Sequence, residues 1–267
     1  MAEQLKNLYS KEFIEKLVNK LFLTYPHFEK ENFINSIFDI SWQDLELKQR
    51  MRHIALTLNK YLPFIYEEQL EILKEVKKDF TGLEAMIFQD FVEVFGLDDF
   101  ENSMKALEVF TIDSSSEFAI RQFILKYEEQ TINQMKIWAK SSNEHIRRLA
   151  SEGSRSRLPW AIALPLFKQN PTKPLEIIEL LKNDKSLYVQ KSVANNLNDI
   201  SKDNPHLVIK FVKENLGKTK ELDWICKHGS RTLLKKGKME ILSFFNFDKS
   251  HHINLTNFCY DITMLLY

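Results

Sequence analysis

The sequence predicts an all-α fold: a solenoid of helical repeats with a concave basic face and a short, strand-like C-terminal tail. Three observations carry that expectation. Only 6 Gly and 7 Pro interrupt 267 residues, too few turn residues for a β-sandwich or a doubly wound α/β fold. Apolar residues recur at helical spacing along most of the chain. Three of the later segments are related to one another, at spacings of 43 and 36 residues.

Taken in order, segment 11–25 places Phe13, Leu17, Val18, Leu21 and Phe22 on one helical face. Segment 43–60 does so with Leu45, Met51, Ile54, Ala55 and Leu58, and segment 66–78 with Leu70, Ile72, Leu73 and Val76. Segment 84–95 is more continuously apolar and reads as a buried helix. Twenty Phe residues suit helical layers that pack through bulky side chains. From residue 114 the pattern predicts shorter helices over 115–126, 128–140, 144–153, 158–168, 173–183, 186–198, 205–216, 221–235 and 238–244. Brief connectors carry Asn143, Gly153, Asn170-Pro171, Asn183-Asp184, Asn204-Pro205, Gly217 and Gly237. The tail, 248–267, alternates around Ile253, Leu255, Phe258 and Tyr260 and reads as strand. One helical domain is therefore expected over 1–247, with 248–267 apart from it.

The related segments are Ile146-Arg147-Arg148-Leu149-Ala150, Val189-Gln190-Lys191-Ser192-Val193 and Ile225-Cys226-Lys227-His228-Gly229. Helix pairs that repeat every ~35–47 residues are the mark of HEAT-like solenoids, in which each pair buries one face against its neighbours. A cation stands two places after each apolar anchor, at Arg148, Lys191 and Lys227. One cation per repeat makes a basic stripe, which suits a double-stranded nucleic-acid backbone. A solvated Lys-rich surface is the other reading.

The net charge of zero is uneven along the chain. Residues 1–100 carry 12 Lys/Arg against 18 Asp/Glu, whereas residues 141–238 carry 19 against 10. A polyanion responds to the local field, so the basic half can attract one even in a neutral protein. Two cysteines, Cys226 and Cys259, exclude a disulfide scaffold and a multi-Cys zinc site. The chain shows no apolar run long enough to span a membrane and no signal-peptide core, so a cytoplasmic location is expected. No HExxH, CxxC or Gly-rich phosphate loop occurs. Cys226 and His228 are two apart on a helix and do not face each other. His145 and His228 read as residues that satisfy helix ends.

The densest chemistry lies in residues 145–160, with four arginines, His145, Glu152 and Trp160. Arg148 and Glu152 are one turn apart on a helix and share a face. Gly153 is expected to end that helix, with Pro159 starting the next. Between them Arg155 and Arg157 stand in a short basic turn that could bind an anion with two guanidinium forks. A salt-bridge cluster around Glu152 fits the same residues. Glu117 follows Ser114-Ser115-Ser116, where the serines cap a helix and the carboxylate sits in its first turn.

These motifs resemble a known family. RRLASEGSRSRLPWA (147–161), SLYVQKSVANNLNDISKDNP (186–205) and WICKHGSRTLLKKG (224–237) are similar to the AlkC branch of the AlkC/AlkD DNA alkylation-repair glycosylases. LELKQRMRHIALTLNKYLP (45–63) and SSSEFAIRQFI (114–124) also resemble it, so the likeness spans about residues 10–247. The resemblance implies a monofunctional enzyme, without metal or organic cofactor, that hydrolyses the N-glycosidic bond of cationic alkylated bases. These are N3-methyladenine and, in this branch, N3-methylcytosine, in bent duplex DNA. It implies that Glu152, Glu117 and Trp160 approach the lesion, with Trp160 against its deoxyribose. It further implies that Arg148, Arg155 and Arg157 lie around the lesion phosphates, and that Lys191, Asn195, Lys227 and Arg231 hold the backbone beyond. The partner is then double-stranded DNA; a monomer is the default, and the acidic charge of the N-terminal third predicts that it faces away from the duplex. Ser156 stands where the family pattern has Pro. Many members continue into a small immunoglobulin-like β domain, so 248–267 reads either as the tail of a form lacking it or as the remnant of a truncated one. The alternatives are a non-catalytic HEAT-like DNA- or damage-binding module and a protein-binding scaffold.

Overall fold

The computed structural model describes residues 4–247. Among these the chain forms sixteen α-helices and no strand. The first half holds α1 (Lys11–Thr24), α2 (Lys30–Ile37), α3 (Leu47–Tyr61), α4 (Tyr66–Lys77), α5 (Met86–Phe95), α6 (Phe100–Phe110), α7 (Ile120–Lys126) and α8 (Glu128–Trp138). The second holds α9 (Glu144–Gly153), α10 (Pro165–Gln169), α11 (Thr172–Leu181), α12 (Leu187–Asp203), α13 (Pro205–Asn215), α14 (Lys220–Gly229), α15 (Arg231–Lys235) and α16 (Met239–Phe244). The tail expected to be strand-like, residues 248–267, lies outside the described residues.

Consecutive helices pack as pairs, α8 with α9, α11 with α12 and α13 with α14. Members of successive pairs then pack on one another, α9 on α12 and α12 on α14. The three segments related in sequence are thus neighbours in one row, as a helical-repeat solenoid requires. Their anchors Ile146, Val189 and Ile225 are all buried. The aromatic layering is also present: Phe13, Phe80, Phe88 and Phe110 touch in succession, with ring centroids 5.4, 5.8 and 5.7 Å apart. Trp42 and Trp138 are core residues. Among the described residues, no helix is long and apolar enough to cross a membrane.

Four expectations are corrected. The helix expected over 158–168 is only α10, and 154–164 is an irregular loop. Pro165, not Pro159, occupies its first turn, because the Arg155 and Ile162 carbonyls are held by the Arg121 guanidinium and do not enter a helical ladder. The helix expected from 115 begins at Ile120, and its N-cap Ala119 makes no side-chain cap hydrogen bond. The serines are used elsewhere: Ser116 Oγ donates to the Leu107 carbonyl and Ser115 Oγ accepts from Arg148. The single helix expected over 221–235 breaks at Ser230 into α14 and α15, where Asn198 Oδ1 accepts from Thr232 N at 3.1 Å. Helices α2 and α6 were not anticipated; α6 is announced by Asp99, whose carboxylate accepts from Asn102 N.

Gly153 ends α9 as expected, and its reason is space. A Cβ there would come within 2.7 Å of Ile120 Cγ2 and 2.9 Å of Met135 Cε. Gly153→Ala should therefore destabilise the fold by about 1–3 kcal/mol through overpacking. A urea unfolding midpoint unchanged from wild type would contradict this.

Candidate active site

The site is built where α9 lies between the turn that precedes α7 and the long helix α12. Asn143 starts α9 by accepting from His145 N at 2.8 Å. Ile146, Leu149 and Ala150 then bury one face. Arg148 and Glu152, one turn apart, sit at the edge of that face. Arg148 Nη1 donates to Ser115 Oγ at 2.5 Å and to Glu117 Oε2 at 3.2 Å, and Nη2 donates to Glu117 Oε1 at 3.4 Å. Its Nη2 is also 3.7 Å from Glu152 Oε1, and the Tyr188 ring lies 4.9 Å from the guanidinium carbon. Glu152 accepts from Arg155 Nη1 at 2.5 Å and from Ser192 Oγ at 2.6 Å. Arg155 continues to Asp199 at 2.7 Å, which Lys202 reaches at 2.8 Å. Carboxylate and guanidinium therefore alternate across the helix row: Glu117, Arg148, Glu152, Arg155, Asp199.

The network is largely out of water, with side-chain exposures of 16% for Glu117 and 7% for Glu152. Burial pushes the Glu117 carboxyl above its ordinary value; Arg148 pulls it back and Glu152 pushes it further up. Burial opposes the charge of Arg148, but Glu117 and Glu152 outweigh it and hold the guanidinium above its usual value.

The consequence for pH has a definite sign. A carboxyl whose folded value is raised binds its proton more tightly in the folded chain. The contribution of Glu117 to stability is then full below the ordinary value of 4.5 and is lost as pH rises through the raised value. Wild-type stability measured against Glu117→Gln should accordingly fall as pH rises from 4.5. A difference that is flat or rises with pH in chemical denaturation would contradict the shift.

A cleft of about 460 Å³ opens on Glu117 and Arg148 and is walled by Ser114, Ser115, His145 and Tyr188. A larger groove of about 860 Å³ lies elsewhere, between Gln4–Lys6, Glu46–Lys48 and the Pro159–Ile162 turn. Trp160 lines this second groove and is 47% exposed.

A family model described as DNA alkylation repair enzyme matches residues 72–233, more than half of the chain. The chain belongs to this DNA alkylation repair family. It is 46% identical over 251 residues to the uncharacterized protein YhaZ of Bacillus subtilis (strain 168), covering 94% of this chain and 70% of the relative. It superposes with a TM-score of 0.88, at 35% identity, on the Pseudomonas fluorescens alkylpurine DNA glycosylase AlkC bound to DNA containing an abasic site analog. That match covers 92% of this chain and 69% of the other. The resemblance to the AlkC branch is thereby borne out, together with the helical-repeat fold.

Within this family member the structure brings Glu117, Arg148, Glu152 and Arg155 into one network and leaves Trp160 on another wall. Arg155 and Arg157, read from the sequence as open forks for phosphate, both meet carboxylates: Arg155 is held by Glu152 and Asp199, and Arg157 by Asp203. Lys191 and Lys227 are exposed, and Lys227 Nζ stands over the Phe247 ring. Asn195 Oδ1 accepts from Arg231 at 3.0 Å, linking α12 to α15. The N-terminal third, read as facing away from a duplex, supplies a wall of the groove beside Trp160, and Lys48 donates to the Trp160 carbonyl at 2.7 Å. Trp224 stacks on His228 at 4.7 Å, and Phe118 is buried core. Cys226 is fully buried, and burial pushes its thiol up to about 12, so it is no thiolate nucleophile. Among the described residues no group of three or more His, Cys, Asp or Glu side chains could hold a metal ion.

Sequence reasoning missed Asp199, Ser192, Tyr188 and Arg121. The first three had a signal: on α12, Tyr188, Ser192 and Asp199 fall at i, i+4 and i+11, one stripe of a helix facing α9. Arg121 had none, because its partners are backbone carbonyls.

Proposed function

We propose that the chain is a monofunctional DNA glycosylase that hydrolyses the N-glycosidic bond of cationic alkylated bases, N3-methyladenine and N3-methylcytosine, in bent duplex DNA. The observation that carries this reading is the pair of carboxylates largely removed from solvent, Glu117 from the turn before α7 and Glu152 from α9, brought to either side of one guanidinium. The likeness to a glycosylase bound to abasic-site DNA supports it.

The chemistry asks little of such a site. A base alkylated at N3 carries positive charge and leaves without protonation. When the C1′–N bond breaks, its electron pair neutralises the departing base and the sugar becomes oxocarbenium-like. Preorganised carboxylates stabilise that cation most strongly where water is excluded. A water bonds to C1′ and gives its proton to a carboxylate, leaving an abasic site. Arg148 opposes the upward push that burial gives the Glu117 carboxyl, while Arg155 and Ser192 hold Glu152 in place. Trp160 presents an aromatic face to the deoxyribose, where cationic character is favoured. Lys191, Asn195, Lys227 and Arg231 contact the backbone beyond the lesion. The single helical domain over 1–247 carries all of these groups.

One observation favours the second reading, a non-catalytic DNA-binding module: both carboxylates are already ion-paired, as in a purely structural network. The deciding experiment is release of free N3-methyladenine and N3-methylcytosine from methylated duplex DNA, with DNA affinity measured across salt concentrations in parallel. Release supports the glycosylase. No release, with affinity that falls steeply with salt, supports the binding module. Neither release nor binding overturns both.

A further inference from the structure

Among the described residues, Arg121 is the largest charged side chain buried without exposure, at 0% accessible surface. It stands on α7 and points across to the loop that follows α9. Its Nε donates to the Ile162 carbonyl. Its Nη1 donates to the Arg155 carbonyl at 2.7 Å and to the Gly153 carbonyl at 3.3 Å. Buried carbonyls need donors, and regular structure supplies them from the backbone. The loop over 154–164 has few of its own: Arg155 N to Glu152 O at 3.3 Å, Ala161 N to Leu158 O at 3.2 Å and Leu164 N to Ser156 O at 3.1 Å. One guanidinium therefore ties both ends of the loop to a single point in the core.

The three carbonyls are served by Nε and Nη1 of the guanidinium, with Nη2 buried and without a partner among the described residues. Guanidinium donors are spread in a rigid planar fork, whereas a lysine ammonium is a point on a flexible stem. Glu117, Glu152 and Asp199 all lie close enough to offset its charge, while Arg155 opposes it. Burial pushes Arg121 down to about 10, so it remains a charged donor at neutral pH.

Trp160 lies between the two tied ends. Its indole is 47% exposed and lines the groove rather than the core. Its place is therefore set through its backbone, by Arg121 from one side and by Lys48 on its carbonyl from the other. We propose that Arg121 is the positioning residue for Trp160, a core clamp that fixes the loop presenting the indole and that acts on base excision only through it. The catalytic part of this inference rests on the glycosylase reading; the clamp itself does not.

The test uses the full chain labelled with 5-fluorotryptophan, which gives four resonances for Trp42, Trp138, Trp160 and Trp224. Trp160→Phe assigns the relevant one. In Arg121→Lys the Trp160 resonance is expected to shift and broaden, with the other three unchanged. A Trp160 resonance identical to wild type in a folded Arg121→Lys overturns the clamp. In single-turnover excision, Arg121→Lys is expected to slow release by about 10²-fold, as a displaced group does, with the half-saturating DNA concentration unchanged. That loss should vanish in a Trp160→Ala background, and additive losses would overturn action through Trp160. Should the wild type release no base at all, the glycosylase reading fails and the fluorine spectra alone decide the clamp. Should Arg121→Lys not fold, the wild type decides: slowly exchanging Arg121 guanidinium protons support the clamp, and exchange at the rate of a solvated arginine overturns it.

Discussion

Glu152→Gln is expected to slow base release by about 10²–10⁴-fold, the usual loss on removing a positioned general base, while duplex affinity stays near that of wild type. The side chain is 7% exposed and accepts from Arg155 at 2.5 Å and Ser192 at 2.6 Å. Glutamine keeps the shape and one acceptor oxygen but loses the charge that stabilises a cationic sugar. The Ser192 hydroxyl can turn to accept from the new amide. Arg148 keeps Glu117 and Arg155 keeps Asp199, so neither guanidinium is left wholly unpaired. The stability cost should then be about 1–3 kcal/mol, less than the ~3–5 kcal/mol of a buried pair broken outright. Single-turnover release, a filter-binding isotherm and a melting curve on the same preparation test all three statements. Parallel loss of release and binding would identify Glu152 as a structural ion-pair residue instead.

Trp160→Ala should divide rate from stability in the opposite sense. Nearly half of the side chain meets solvent, and its loop is held by backbone contacts from Arg121 and Lys48. Truncation should move stability by no more than about 0.5 kcal/mol, as for other surface substitutions. Excision should fall by about 10²-fold because the sugar loses the face that orients it. A melting temperature lowered by many degrees with release intact would show that the indole is packing material and nothing more.

How far the site was legible depended on distance along the chain. The Arg148–Glu152 pair follows from i,i+4 spacing alone, and the structure places them on one face. The fate of Glu117 did not follow: helix capping was a full account of its sequence context, yet its carboxylate meets Arg148, 31 residues away. Arg155 and Arg157 looked open because their carboxylates, Asp199 and Asp203, are 44 and 46 residues further on. Residues 158–164 of the irregular loop were misread as helix because their apolar residues keep helical spacing. What diverts it is a side chain of α7.

The sequence by itself determined most of the helices, their repeat and the family. Each rests on local periodicity or on strings of adjacent residues, and helix formation needs only near neighbours. Only the tertiary structure decided which charges are available and which are engaged, where Trp160 stands relative to the carboxylates, and what holds its loop. Those depend on solenoid layers brought together across more than 30 residues, where burial turns a surface charge into a group that must find a partner.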